Sequence, residues 1–174
     1  PVTVSSPYSI DECIWGRAIE CGALEDPWVE PPADAYKWTS DPDKAPDKPQ
    51  YVEIEFEKGV PVALDGERMP DLELIVKLNE IAGKHGVGRI DHIEDRVVGI
   101  KSREIYEAPA AITLIEAHKA LEAMNLSKAQ LRFKQTVDTE IAELIYQGFW
   151  FSQLNRDLSA FITSSQRYVT GTVR

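Results

Sequence analysis

Residues 51–66 decide the fold class, and they read YVEIEFEKGVPVALDG. Three apolar side chains alternate with three glutamates along residues 52–57, which is the period of a strand with one buried face and one solvated face. Lys58-Gly59 predicts a turn, residues 60–64 return as a second strand, and Asp65-Gly66 is a further hairpin signal. The stretch therefore predicts an antiparallel sheet with one face in water.

Helical periodicity follows this sheet along the chain, with recognisable start and stop signals. Pro109 stands at a first helical position, and Ser127 with Gln130 forms a capping box. The predicted helices cover residues 71–85, 109–124, 127–150 and 153–167, with strand and turn over 87–100 and a last strand signal over 169–174. Helices packed on a mostly antiparallel sheet predict an α+β fold, in a single domain over residues 1–174.

A helix is also predicted near the start of the chain. Ser9 and Glu12 match the capping-box pattern, and apolar or small side chains follow at helical spacing as far as Cys21. On such a helix Cys13 and Cys21 would lie about 12 Å apart, too far for a disulfide. The two cysteines are therefore expected to be thiols in a reducing compartment.

Residues 25–50 have an unusual composition, because they hold six of the eleven prolines. Such a segment is expected to form neither a helix nor an interior strand. It also contains Trp28, Tyr36 and Trp38, whereas a free linker is poor in aromatic residues. We therefore expect an ordered loop that lies over the surface.

Composition limits the possible partners. The chain has 174 residues, 43% of them hydrophobic, and a formal charge of −10. These proportions are typical of a globular domain with a real core. The acidic balance argues against nucleic acid and anionic membranes as partners, because both attract basic surfaces. No signal peptide or apolar run long enough to span a membrane is visible.

General catalytic and metal-binding motifs are absent from the sequence. Residues 83–89 are rich in glycine and basic side chains, but they follow a predicted helix and precede a strand, the reverse of a phosphate loop. A helix stop with a turn is the better interpretation. The three histidines lack metal-ligand spacing. The chain begins without Met and ends in a strand signal, so we expect part of a longer polypeptide.

Three groups of motifs identify a family resemblance that runs along essentially the whole chain. The motifs are SPYSIDE (6–12), GRAIECG (16–22) and LEDP (24–27); HGVGRID (85–91) and GIKSREIYEAP (99–109); and AELIYQGFWFS (142–152). Together they resemble the argininosuccinate synthetases, also called argininosuccinate synthases. The resemblance implies a ligase of arginine biosynthesis and the urea cycle, which joins citrulline and aspartate at the expense of ATP. It also implies a cytoplasmic homotetramer that requires Mg²⁺.

The resemblance also implies what this chain lacks. The ATP-binding glycine loop of the family and its aspartate-site motif do not occur in the sequence. ATP and Mg²⁺ are therefore expected to bind mainly to an N-terminal domain that would precede Pro1. The family continues beyond Arg174 to a C-terminal helix used in subunit contacts. The chain is thus expected to be a truncated synthetase domain that is inactive by itself.

Four residues match citrulline-binding positions of the family: Ser9, Ala18, Glu94 and Tyr106. Read without the family, Ser9 is equally a helix N-cap, Glu94 a solvated turn carboxylate and Tyr106 a core tyrosine. Ala18 departs from the family, which usually has Ser or Thr there, so one hydroxyl contact is in doubt. None of the four is expected to be a general base, a nucleophile or a metal ligand.

A second interpretation remains open beside the enzyme. The chain could be a non-catalytic binding or oligomerisation module that has kept the fold. Ala18, together with Asp95 where the family commonly has Asn, lends this alternative slight support. An ATP-binding motif upstream of Pro1 would decide for the enzyme.

Overall fold

The computed structural model describes residues 3–4 and 7–174, so Pro1 and Ser6, the first residue of the SPYSIDE motif, lie outside the described residues. The chain divides into two compact units, and each is described by itself. The first unit takes residues 1–51 and 70–115, and the second takes residues 52–69 and 116–174. Each contains an antiparallel sheet and helical segments, which confirms the predicted α+β class.

Regular elements are spread over both units. In the described part of the chain the strands are β1 (Ser9–Cys13), β2 (Gly16–Glu20), β3 (Ile54–Glu57), β4 (Val60–Leu64), β5 (Glu67–Arg68), β6 (Arg89–Asp95), β7 (Lys101–Glu107) and β8 (Gly171–Val173). The α-helices there are α1 (Asp71–Lys84), α2 (Pro109–Asn125), α3 (Lys128–Tyr146) and α4 (Gln153–Gln166). None of these helices is both long enough and apolar enough to cross a membrane.

The helix predicted to begin at Ser9 is wrong. Residues 9–20 form the hairpin β1–β2, in which Ser9 pairs with Glu20 and Cys13 pairs with Gly16. Burial along β2 alternates with a period of two, as a strand on a covered sheet requires. The second neighbour of β2 is β7, which lies some ninety residues further along the chain and is invisible to a local capping signal. Both cysteines are free thiols. The separation expected for them on a helix does not apply, because no helix forms here.

The sheet of the first unit has the order β1-β2-β7-β6, with every pair antiparallel. The Pro-rich residues 25–50 contain only short 3-10 turns and lie against one face of this sheet. Ile19 and Ile105 from the sheet pack with Leu24 and Ala35 in a fully buried cluster. The Pro-rich segment packs on the face that carries Ile19 and Ile105, and it does not cover the opposite face of the sheet.

A buried ion pair fastens the Pro-rich segment to the sheet. Arg17 Nη1 lies 2.9 Å from Glu107 Oε2, and the two side chains are 1% and 0% exposed. Arg17 also donates to the carbonyl of Ala35, and Glu107 accepts from the backbone N–H groups of residues 37–39. A buried carboxylate with this many donors needs no water, so the loop is held by charge as well as by apolar packing.

Residues 83–89 form a helix stop and a turn, as predicted. Helix α1 ends at Lys84, and the chain then turns into β6. Gly88 has a φ of +107°, and a Cβ there would lie 2.5 Å from the backbone of Pro109. Ala108 N donates to Gly88 O at 2.8 Å, which holds the turn against the end of β7. Glycine is required here by close backbone packing.

The second unit confirms the predicted hairpins and the later capping box. Its sheet has the order β5-β4-β3-β8, and its outer face carries the glutamates of β3. Ile54 and Phe56 of β3 are buried, as the alternation predicts. Ser127 caps α3 by accepting from Gln130 N, while the Gln130 side chain accepts from Ser127 N.

Candidate functional site

All four citrulline-binding candidates lie on one face of the sheet in the first unit. Strand pairing puts Ala18 directly opposite Tyr106, and it puts Glu94 opposite Ser102, which shares a face with Tyr106. Ser9 shares a face with Asp11, the partner of Ala18. This face, which we call the open face, is the one that the Pro-rich segment does not cover.

Tyr106 is the centre of the open face. Its Oη lies 3.3 Å from Glu94 Oε2 and 2.5 Å from Glu104 Oε2. Its ring meets His92 edge-on, with centroids 5.4 Å apart. The phenol is half-buried with its oxygen among carboxylates, so the interpretation as an ordinary core tyrosine does not describe it. Glu94 is a half-buried strand residue and is not in a turn.

Arg96 links Glu104 to one further carboxylate of the open face, that of Glu20. Its Nη2 lies 2.7 Å from Glu20 Oε2 and 3.2 Å from Glu104 Oε1. Ser102 Oγ donates to the same Glu104 oxygen at 3.3 Å. Sequence reasoning missed Glu20, Arg96 and Glu104, although their spacing of two from the predicted residues signals a shared strand face.

The pKa values of Tyr106 and Arg96 on the open face are both raised. Burial raises the pKa of Tyr106, and its hydrogen bond to Glu104 and the charges of Glu104 and Glu94 raise it further, so the phenol keeps its proton at neutral pH. The charge of Glu20, followed by the hydrogen bond to Glu104, raises the pKa of Arg96. Carboxylates outnumber the guanidinium, so this surface favours a cationic donor group.

A cavity of about 450 Å³ opens beside Ala18 and Tyr106. Its lining is Asp11, Glu12, Cys13, Trp15, Gly16, Ala18, Tyr106, Ala108 and Ala111. The small side chain of Ala18 therefore forms part of the cavity wall. Glu94 is not among the lining residues, but it contacts Tyr106, which is. Ser9 lies two residues before Asp11 on β1, outside this lining, and it caps no helix.

Asp95, the second departure from the family, lies away from the candidate site. It pairs in register with Lys101, and the two side chains form an exposed ion pair of 2.7 Å. Adjacent strand residues point to opposite faces, so Asp95 faces away from Glu94. Its extra charge therefore gives no support to a loss of function on the open face.

The described part of the chain groups no side chains as ligands for a metal ion, and its glycine-rich turn does not begin a helix. Within residues 3–4 and 7–174 no three His, Cys, Asp or Glu side chains are grouped to hold a metal ion. The glycines at 86 and 88 lie between the end of α1 and the start of β6. No helix begins at this turn, so it does not present helix N-terminal N–H groups to an anion.

Comparison with known proteins gives consistent relatives. Residues 8–174 match the family model described as Arginosuccinate synthase C-terminal domain. The chain is 63% identical to the argininosuccinate synthase of Dehalococcoides mccartyi, and 59% identical to those of Rubrobacter xylanophilus and Methanopyrus kandleri. All 174 residues are matched in each comparison, and the chain spans 43%, 42% and 44% of the three relatives' lengths.

Proposed function

The chain belongs to the argininosuccinate synthase family, and we propose that it supplies the citrulline-binding part of such an enzyme. The observation that carries this proposal is the pair of oxygens formed by Tyr106 Oη and Glu94 Oε2, 3.3 Å apart on the open face. Citrulline has an α-ammonium group, and an ammonium group is all donor and no acceptor. The oxygen pair is suited to receive it.

The cavity beside the oxygen pair accounts for the rest of the ligand. Citrulline has a neutral ureido tail on an aliphatic chain, and the wall at Ala18, Ala108 and Ala111 offers small apolar contacts. Ser9, further along the same face, is proposed to reach the ligand carboxylate with its hydroxyl. The methyl side chain of Ala18 has no hydrogen-bonding atom, so it contributes shape only.

We propose that the whole enzyme is an ATP-dependent ligase of arginine biosynthesis. ATP would transfer AMP to the ureido oxygen of citrulline with release of diphosphate, and the amino group of aspartate would then displace AMP. Such a reaction requires substrates to be held in position and charge to be stabilised, and it needs no covalent protein intermediate. This agrees with a chain whose proposed site contains binding groups only.

The remaining ligands are proposed to bind outside this chain. ATP, Mg²⁺ and aspartate would be held mainly by residues that precede it, in a cytoplasmic homo-oligomer. The second unit exposes Phe149, Trp150 and Phe151 side by side, and another copy of the chain is the proposed cover. We therefore expect the purified 174-residue chain to form no argininosuccinate from citrulline, aspartate and MgATP, and measurable product would contradict this.

Calorimetric titration of the chain with citrulline tests the binding proposal. We expect binding by the unmodified chain and a loss of at least about tenfold in Glu94→Gln, because a charged hydrogen bond is replaced by a neutral one. Glu116→Gln is the matched control, since Glu116 is exposed in the second unit and pairs only with Lys119 among the described contacts. Equal affinity of the chain and Glu94→Gln, or no binding of citrulline, would contradict the proposal.

A further inference from the structure

Glu104 is a nearly buried carboxylate of the open face to which the family resemblance assigns no role. Its side chain is 7% exposed. Oε1 accepts from Arg96 Nη2 at 3.2 Å and from Ser102 Oγ at 3.3 Å, and Oε2 accepts from Tyr106 Oη at 2.5 Å. Three donors from three residues hold this carboxylate in one orientation, so it is part of a fixed arrangement.

The Tyr106 phenol has two carboxylates within reach but only one proton to donate. The oxygen of Glu104 lies at 2.5 Å and that of Glu94 at 3.3 Å. The shorter separation is typical of a hydroxyl donating to a charged carboxylate. The proton therefore lies toward Glu104, and Tyr106 turns a lone pair toward Glu94 Oε2.

We propose that Glu104 is a positioning residue that takes the Tyr106 proton and thereby makes Tyr106 Oη and Glu94 Oε2 a joint acceptor for the ligand ammonium. Arg96 serves the same end by holding Glu104. The proposal rests on the proposed function for the identity of the ligand, but the proton arrangement is independent of it. Without the Glu104 carboxylate, the phenol is released to donate to Glu94 and to occupy the acceptor that citrulline needs.

A spectroscopic measurement tests the proton arrangement without any ligand. The chain is labelled with ¹³C at the tyrosine ring carbon that bears oxygen, and Tyr106→Phe assigns the signal. At neutral pH, Glu104→Gln should shift the Tyr106 signal, because the phenol loses its short hydrogen bond to a charged carboxylate. An unchanged signal in a folded Glu104→Gln protein would overturn the proposal.

A double-mutant cycle tests the effect on citrulline. Glu104→Gln should weaken citrulline binding about tenfold, the size of one charged hydrogen bond. In the Tyr106→Phe background the same change should cost less than about twofold, because Glu104 then has no phenol through which to act. Equal losses in the two backgrounds would overturn the proposal.

A ligand without the ammonium group and a second variant complete the design. The affinity for 5-ureidopentanoate, which is citrulline without its amino group, should be the same in the unmodified chain and in Glu104→Gln.

Glu104→Asp keeps the charge near Arg96 but withdraws the oxygen from Tyr106, and it should weaken citrulline binding as Glu104→Gln does. Full citrulline affinity in Glu104→Asp would overturn the proposal if the tyrosine signal shows the phenol no longer paired.

The two proposals fail in different ways. No citrulline binding by the unmodified chain overturns the proposed function, while the tyrosine signal at neutral pH still decides whether Glu104 holds the Tyr106 proton. Binding that is lost in Glu94→Gln but unchanged in both Glu104 variants overturns only the positioning role of Glu104.

Discussion

Glu107 links the sheet of the first unit to the Pro-rich segment that covers it. Its partner Arg17 is as deeply buried as Glu107 itself. Removal of one charge from a buried pair leaves the other uncompensated, so Glu107→Gln should lower the free energy of unfolding by about 3–5 kcal/mol. Urea denaturation measures this loss.

Glu12 offers a matched control for that substitution. It also approaches Arg17, with a separation of 3.5 Å from Nε, but its side chain is 55% exposed. Glu12→Gln should therefore change the free energy of unfolding by less than about 1 kcal/mol. Similar effects of the two substitutions would show that burial of the Glu107 pair is not what makes it important.

The pH dependence of stability follows from the same carboxylate. Burial raises the pKa of Glu107, but hydrogen bonds from Lys37, Trp38 and Thr39 outweigh it, so the folded pKa lies below the ordinary value. A depressed pKa contributes stability that is complete above the unfolded value, about 4.3, and is lost as the pH falls below it. Glu107→Gln should therefore flatten the loss of unfolding free energy in acid, and a slope equal to that of the unmodified chain would contradict this origin.

Ala18 provides the residue-scale prediction for the open face. It lines the cavity beside Tyr106 without a polar atom of its own. Ala18→Ser should strengthen citrulline binding by about 0.5–1.5 kcal/mol, the net contribution of one hydrogen bond. Calorimetry with Ala123→Ser as an exposed control measures the gain. Unchanged or weaker binding in Ala18→Ser would show that the ligand does not pass this wall.

At the scale of elements, the two hairpin turns of the second unit form a natural comparison. Gly59 and Gly66 both have a φ of +81°, but only Gly59 has a close neighbour, the amide of Gln166. That amide is held by His118 and Glu122. Gly66→Ala should therefore cost about 1–2 kcal/mol of backbone strain. Gly59→Ala should cost about 1–3 kcal/mol more, because Gln166 must leave its partners.

Thermal or urea unfolding of the two glycine variants measures this difference directly. Because the backbone angle is the same at both sites, the difference isolates the contact with Gln166. Equal stability of Gly59→Ala and Gly66→Ala would mean that Gln166 moves aside without loss.

Elements were predictable where local signals and packing agree. The alternation over residues 52–57 and the capping box at Ser127 are both confirmed, since each is followed by enough apolar side chains of the matching period. The same box at Ser9 failed, although apolar and small side chains follow it at helical spacing, because β7 supplies a sheet partner for β2 from far along the chain. Local signals therefore predict an element correctly only when no distant strand competes for it.

The candidate site was likewise only partly predictable from the sequence. The family resemblance supplied Ser9, Ala18, Glu94 and Tyr106, which general motif rules do not find. Glu20, Arg96 and Glu104 each lie two residues from a predicted site residue, but their hydrogen bonds are known only from the structure, since those of Arg96 reach across strands. Sequence predicts ligand contacts by analogy, whereas the residues that orient those contacts require the structure.

For the whole molecule, we propose that citrulline binds in one of the two compact units. The chain carries a net charge of −10, and the open face follows this acidic balance. The oxygen pair and the cavity that would receive the ligand both belong to the first unit. The second unit contains the exposed aromatic residues and is assigned no part in binding citrulline.

A crystal structure of the chain with citrulline would show whether the ligand binds in the first unit. We predict that citrulline lies in the cavity beside Ala18, with its ammonium nitrogen about 2.7–3.2 Å from both Tyr106 Oη and Glu94 Oε2. Citrulline bound to the second unit, or bound with its ammonium away from both oxygens, would contradict the proposed binding site.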